Sequence, residues 1–186
     1  MSAFFIFKRM SAFKGTLIAA ELPWMISPSV SDLRIKVVEN GDAVVSAEVA
    51  VLPEKNPESA GLENKRVLIT FKGGQWVSTE PAFADRETIP PELFEECPQV
   101  EFDGGKDYLI RFRRKWCSSG LCPDPRVYEV HNSVWSKEKN AARFGCRHYV
   151  VEGHDMWLQV IAKGFDWKLD GPSSAEFIDP TRLPVL

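Results

Sequence analysis

Four side chains in the second half of the chain have the chemistry of a metal site. Cys117 and Cys122 flank a turn-rich stretch, and Cys146 and His148 stand two residues apart, which puts both on one face of an extended strand. Thiolate and imidazole are suitable tetrahedral zinc ligands, so convergence of these segments would make a zinc site and, with it, a zinc-dependent enzyme. The spacing is loose for the first pair and unusual for the second. Ordinary buried thiols, cysteine behaving as a small hydrophobe, and a local Cys117–Cys122 disulfide are the competing readings.

Two neighbouring segments of opposite charge are the second candidate. Residues 80–103 hold eight acids, Glu92, Glu95 and Glu96 among them, against the single base Arg86, a local charge of −7. Residues 106–115 follow with five bases against Asp107, a charge of +4. Read as a strand, 108–116 sets Tyr108, Ile110 and Phe112 on one side. Arg111, Arg113 and Lys115 fall on the other, three cations able to grip carboxylates or phosphates. An acidic stretch beside a basic face gives a protein interface orientation as well as attraction. A self-repelling solvated loop and a water-facing strand that resists edge pairing are the plainer alternatives. Nucleic acid is disfavoured, because the net charge is −3 and no RNA-binding or helix-turn-helix signature is present.

Six tryptophans, Trp24, Trp76, Trp116, Trp135, Trp157 and Trp167, form the third. Exposed on a sheet they would make a platform for sugar rings or a protein; buried, they fill a β core. Trp157 adjoins an expected turn and joins the candidate binding residues. The three histidines have no catalytic company. No Gly-x-Ser-x-Gly elbow, His-Glu-x-x-His helix, phosphate loop or dinucleotide fingerprint occurs.

The elements that must position these groups are antiparallel hairpins. Tight-turn signals at Asn40-Gly41-Asp42, Gly73-Gly74, Asp103-Gly104-Gly105 and Glu152-Gly153-His154-Asp155 each sit between runs of β-formers. They join 33–38 to 43–52, 66–72 to 75–79, 100–102 to 108–116, and 146–151 to 156–162. A further strand is expected over 127–134. Short helices are expected over 91–96, between prolines, and over 137–144, with Ser136 as N-cap and Gly145 as stop. Eight or more strands without a βαβ rhythm predict a mainly β fold, an antiparallel sandwich or barrel with one or two short helices.

A chain of 186 residues with 44% hydrophobic side chains can bury one full core, so residues 1–186 read as one domain. Residues 1–14 read as a loosely attached leader and the proline-rich 171–186 as an extended tail. Met1-Ser2-Ala3-Phe4 recurs as Met10-Ser11-Ala12-Phe13, which suggests an alternative start or a local duplication. The apolar cluster Phe4-Phe5-Ile6-Phe7 precedes Lys8 and Arg9, the reverse of a secretory signal, and no run is long enough to span a membrane. A cytoplasmic protein with free thiols is expected. The function these features predict is a non-catalytic binding domain, of inhibitor or immunity type, engaging a protein partner through its charged surface and needing no cofactor. The alternatives are a small-molecule- or carbohydrate-binding β domain using exposed tryptophans, and the zinc enzyme.

Overall fold

Short runs of β-branched residues assemble into two sheets in the computed structural model, which describes residues 15–39, 41–74, 76–81, 94–105 and 107–172. The first half contributes β1 (Gly15–Ala19), β2 (Trp24–Ile26), β3 (Arg34–Val37), β4 (Ala43–Val51), β5 (Glu63–Lys72), β6 (Trp76–Pro81) and β7 (Phe94–Cys97). Helix α1 (Tyr108–Ser119) follows, then β8 (Val127–His131), the short α2 (Val134–Glu138), β9 (Arg147–Glu152), β10 (Met156–Ala162) and β11 (Gly164–Pro172). One sheet has the order β6-β10-β9-β8-β1-β7, antiparallel throughout except for the parallel pair β1 and β7. The other runs β11-β5-β4, and the far edge of β4 is shared, β3 pairing with its first half and β2 with its end. Among the described residues both sheets are open and no barrel closes, so the fold is sandwich-like.

The period-two pattern dictates the core. Val45, Ala47 and Val49 of β4 and Val67, Ile69 and Phe71 of β5 all point inward and are buried. They meet Tyr149, Val151, Leu158 and Val160 from the other sheet. Each valine, leucine, isoleucine or phenylalanine among them contributes about 1.5–3 kcal/mol on burial.

Two of the four turns make the hairpins expected of them. β3 and β4 reverse at Gly41, with φ at 87°, and β9 and β10 reverse so that Glu152 pairs with Trp157. The diglycine does something else. Gly73 adopts φ 60°, and at Gly74 a Cβ would lie 3.0 Å from Ala43 Cβ and 3.2 Å from Val160 Cγ1. That close approach lets the chain bend out of one sheet and into the other, so β5 and β6 belong to different sheets. Lys163 makes the same crossing between β10 and β11, its N–H donating to Lys72 O at 2.9 Å. Since β5 pairs with β11 and β6 with β10, the four strands are one two-stranded ribbon folded over a corner.

Other expectations are corrected. Residues 108–116 are helical: Tyr108, Phe112 and Trp116 recur every four residues, their ring centroids 6.0 and 6.1 Å apart, and this stripe outweighs the alternation. The 103–105 turn therefore leads into a helix, and Gly120 closes that helix in a left-handed conformation with its N–H on Trp116 O. Of the helix expected over 91–96, the part before Phe94 lies outside the described residues, and Phe94–Cys97 is strand β7. The later helix starts early. Ser133 caps α2 by accepting the Ser136 N–H at 3.0 Å, Asn140 interrupts at φ 51°, and a 3-10 turn over Ala141–Phe144 ends at Gly145 as expected. The leader 1–14 and all of the tail beyond 172 lie outside the described residues.

Candidate functional site

Helix α1 is fastened to the body at its middle and its C-terminal half. Trp116 is buried and donates its indole N–H to Pro23 O at 3.3 Å; Arg113 donates to Pro57 O at 2.6 Å and Ala60 O at 2.8 Å. Arg111 pairs with Asp103 at 2.9 Å and holds that carboxyl below its usual range. The first turn of the helix is unsupported on its outer side, and Leu109 and Ile110 are exposed.

The helical period turns Tyr108, Phe112, Lys115 and Ser119 toward the ends of β1 and β7. A groove of two adjoining cavities, about 80 and 130 Å³, separates them, and Ala19, Gln99 and Pro123 border both. Glu96, Phe102, Tyr108, Asp124 and Tyr128 line the smaller cavity. Glu21, Lys115, Ser119 and Cys122 line the larger. Asp124 Oδ1 accepts both the Tyr128 hydroxyl at 2.7 Å and the Arg126 N–H at 3.2 Å. Burial pushes the Tyr128 phenol well up, and the Asp124 charge adds to it. The Tyr108 phenol is likewise raised, by burial first and then by Asp124, Cys122 and Glu96.

Described parts of the two charged segments, 94–103 and 107–115, adjoin here, and their charged side chains are divided differently from the expectation. Glu95 and Glu96 are exposed on β7, and Glu92 lies outside the described residues. Strand alternation would have put Arg111, Arg113 and Lys115 on one face, whereas the helix sends Lys115 to the groove, Arg113 to the 57–60 loop and Arg111 to Asp103. Trp157 is a core residue, 4% exposed among Leu17, Tyr128, Val130 and Val150. Trp24 and Trp116 are also buried, Trp76 and Trp135 partly so, and only Trp167 is substantially exposed, so the indoles form no platform.

The four candidate metal ligands do not converge: Cys117 and Cys122 lie on α1 and the loop after it, whereas Cys146 and His148 border one shared concavity. Cys117 is half-buried on α1. Cys122 donates its thiol to Asp124 O at 3.2 Å, and burial raises its pKa strongly. Cys146 packs with Ala141 and Ile161, and its thiol is also raised by burial. Among the described residues no three His, Cys, Asp or Glu side chains group so as to hold a metal, and Cys97, Cys117, Cys122 and Cys146 are all free thiols.

One polar pair was not anticipated from the sequence. Ser133 Oγ lies 2.7 Å from His148 Nδ1, both residues buried beneath a concavity of about 380 Å³ bordered by Glu129, His131, Lys137 and Arg147. Ser133 Oγ also accepts the Ser136 N–H, so one hydroxyl serves both the cap of α2 and the imidazole. Burial lowers His148 to about 4, too weak a base to activate a hydroxyl efficiently near neutral pH. The pair therefore joins α2 to β9. No family model, curated protein or solved structure matches this chain.

Proposed function

We propose that this protein is a non-catalytic binding domain that engages another protein through the end of the sandwich formed by α1 and β7. The observation that carries this reading is that three large apolar side chains of this end are exposed, Phe102 at 74% against Tyr108 and Leu109 at 73% and Ile110 at 55% on the outer side of α1, and that the carboxylates Glu95, Glu96 and Glu101 are exposed too. Apolar centres rimmed by charge are the usual composition of a protein contact, and an apolar cluster left in water has a cost that a partner removes. The carboxylates favour a partner with a basic surface and speed its capture, as an inhibitor or immunity protein for a basic enzyme requires. Size separates this from a small-molecule site. Cavities of about 80 and 130 Å³ fall below the roughly 300–1,000 Å³ of ligand pockets and suit single side chains of a docking protein.

A photo-crosslinking residue at Ile110, compared with one at the exposed Val37 on β3, tests the proposal in cells. Capture of one discrete partner from position 110 alone, diminished by Glu95→Lys with Glu96→Lys and by added salt, is the expected result. Equal capture from both positions, or none, would remove this end of the molecule as the contact.

A further inference from the structure

We propose that the smaller cavity of the groove receives the cationic head of a lysine or arginine side chain. This deepens the protein-partner reading and rests on it for the source of that side chain. Three of the cavity's walls are aromatic and mutually inclined. The Phe102 ring stands at 87° to Tyr108, centroids 4.8 Å apart, and Tyr108 at 47° to Phe112, centroids 6.0 Å apart. Ring faces attract ammonium and guanidinium groups through their quadrupoles, most strongly where water is excluded, and sets of non-parallel rings are how proteins hold such groups.

The remaining walls supply negative charge. Glu96 and Asp124 both border the space, and no described Lys, Arg or His does. Asp124 Oδ1 accepts both the Tyr128 hydroxyl and the Arg126 N–H, which fixes the carboxylate at the cavity wall. Arg111, the nearest cation of the helix's first turns, is held by Asp103 and by Glu101 O and so does not fill the site itself. A volume of about 80 Å³ admits a head group and little more, with its alkyl stem leaving across the exposed Phe102.

The test titrates the full-length protein with n-butylammonium, n-butylguanidinium and the neutral 1-butanol, following the ring resonances of Tyr108 and Phe112 by NMR. Saturable shifts with a Kd on the order of millimolar are expected for at least one cation, roughly tenfold tighter than for 1-butanol. The two cations rank ammonium against guanidinium. Glu96→Gln and Phe102→Leu, both at exposed positions and each checked for an unchanged circular dichroism spectrum, should each weaken the cation by about three- to tenfold. Equal binding of 1-butanol, no saturable shift, or indifference to both substitutions would overturn the assignment. Cation binding without any crosslink at position 110 would leave the cavity assigned and end the protein-partner reading. Crosslinking without cation binding would do the reverse.

Discussion

Glu48 on β4 and Arg66 on β5 stand directly opposite one another, the guanidinium 2.8 Å from a carboxylate that is only 3% exposed. Arg66 also reaches Asp32 at 3.0 Å, and the Glu48 backbone bonds to Ser27 and Ser31 on either side. The pair therefore pins the segment between β2 and β3 across the outer face of the sheet. Replacing Arg66 by Met withdraws the cation from a buried carboxylate and should cost about 3–5 kcal/mol, read from urea unfolding midpoints. Adding Glu48→Gln to that variant should restore much of the loss. A single variant as stable as the parent would show that the ion pair is dispensable.

Stability should fall in mild acid on account of His148. Its pKa is lowered by burial from about 6.5 to about 4, so between those values the unfolded chain takes up a proton that the folded chain refuses. Folding thus loses up to about 3 kcal/mol as the pH drops from 6.5 to 4, and nothing further from this group below that. His148→Asn, which offers Ser133 both an acceptor and a donor, should flatten that part of the curve. An unchanged slope in thermal melts across that range would exonerate His148.

Gly41 and Gly153 should both resist substitution, for different reasons. Gly41 sits at φ 87°, where any β-branched residue is strained, so Gly41→Val should destabilise by about 1–2 kcal/mol. Gly153 has no left-handed backbone. Its added Cβ would lie 2.8 Å from Met156 O and 3.0 Å from Ser31 Oγ, so even alanine forces the hairpin to shift. Gly61, with nothing within 4 Å, is the control, and Gly61→Ala should be neutral or slightly stabilising. Melting temperatures of the three variants check the order.

The fold class was legible because alternation at Val45, Ala47 and Val49, or at Val67, Ile69 and Phe71, leaves no other way to bury those faces. Glycine turns were less decisive. Gly41 and Gly73-Gly74 offer the same local chemistry, yet only the first closes a hairpin, because the outcome at the second depends on how near Ala43 and Val160 come, a contact between segments distant in sequence. Over 108–116 both periods were present at once. Arg111, Arg113 and Lys115 suggested two, Tyr108, Phe112 and Trp116 suggested nearly four, and the latter prevailed because Trp116 finds a buried seat against Pro23. Meeting of the acidic and basic segments followed from their adjacency, whereas the Ser133–His148 pair joins residues 15 apart through a cap and a strand that no short motif announces.

The folded ribbon of β5, β6, β10 and β11 acts as a spine, since the chain is threaded through it twice and the two leaves of the sandwich share it covalently. The opposite margin, between β2 on one leaf and β1, β8 and β7 on the other, is joined by the short link from Ala19 to Trp24. That margin is latched by α1 and the loop after it, through Trp116 to Pro23, Cys122 N–H to Leu22 O, and Ile26 N–H to Pro125 O. The groove is cut into the latch itself. An occupant of the groove would bear on the segments that close this margin, so its binding should raise the melting temperature of the whole body.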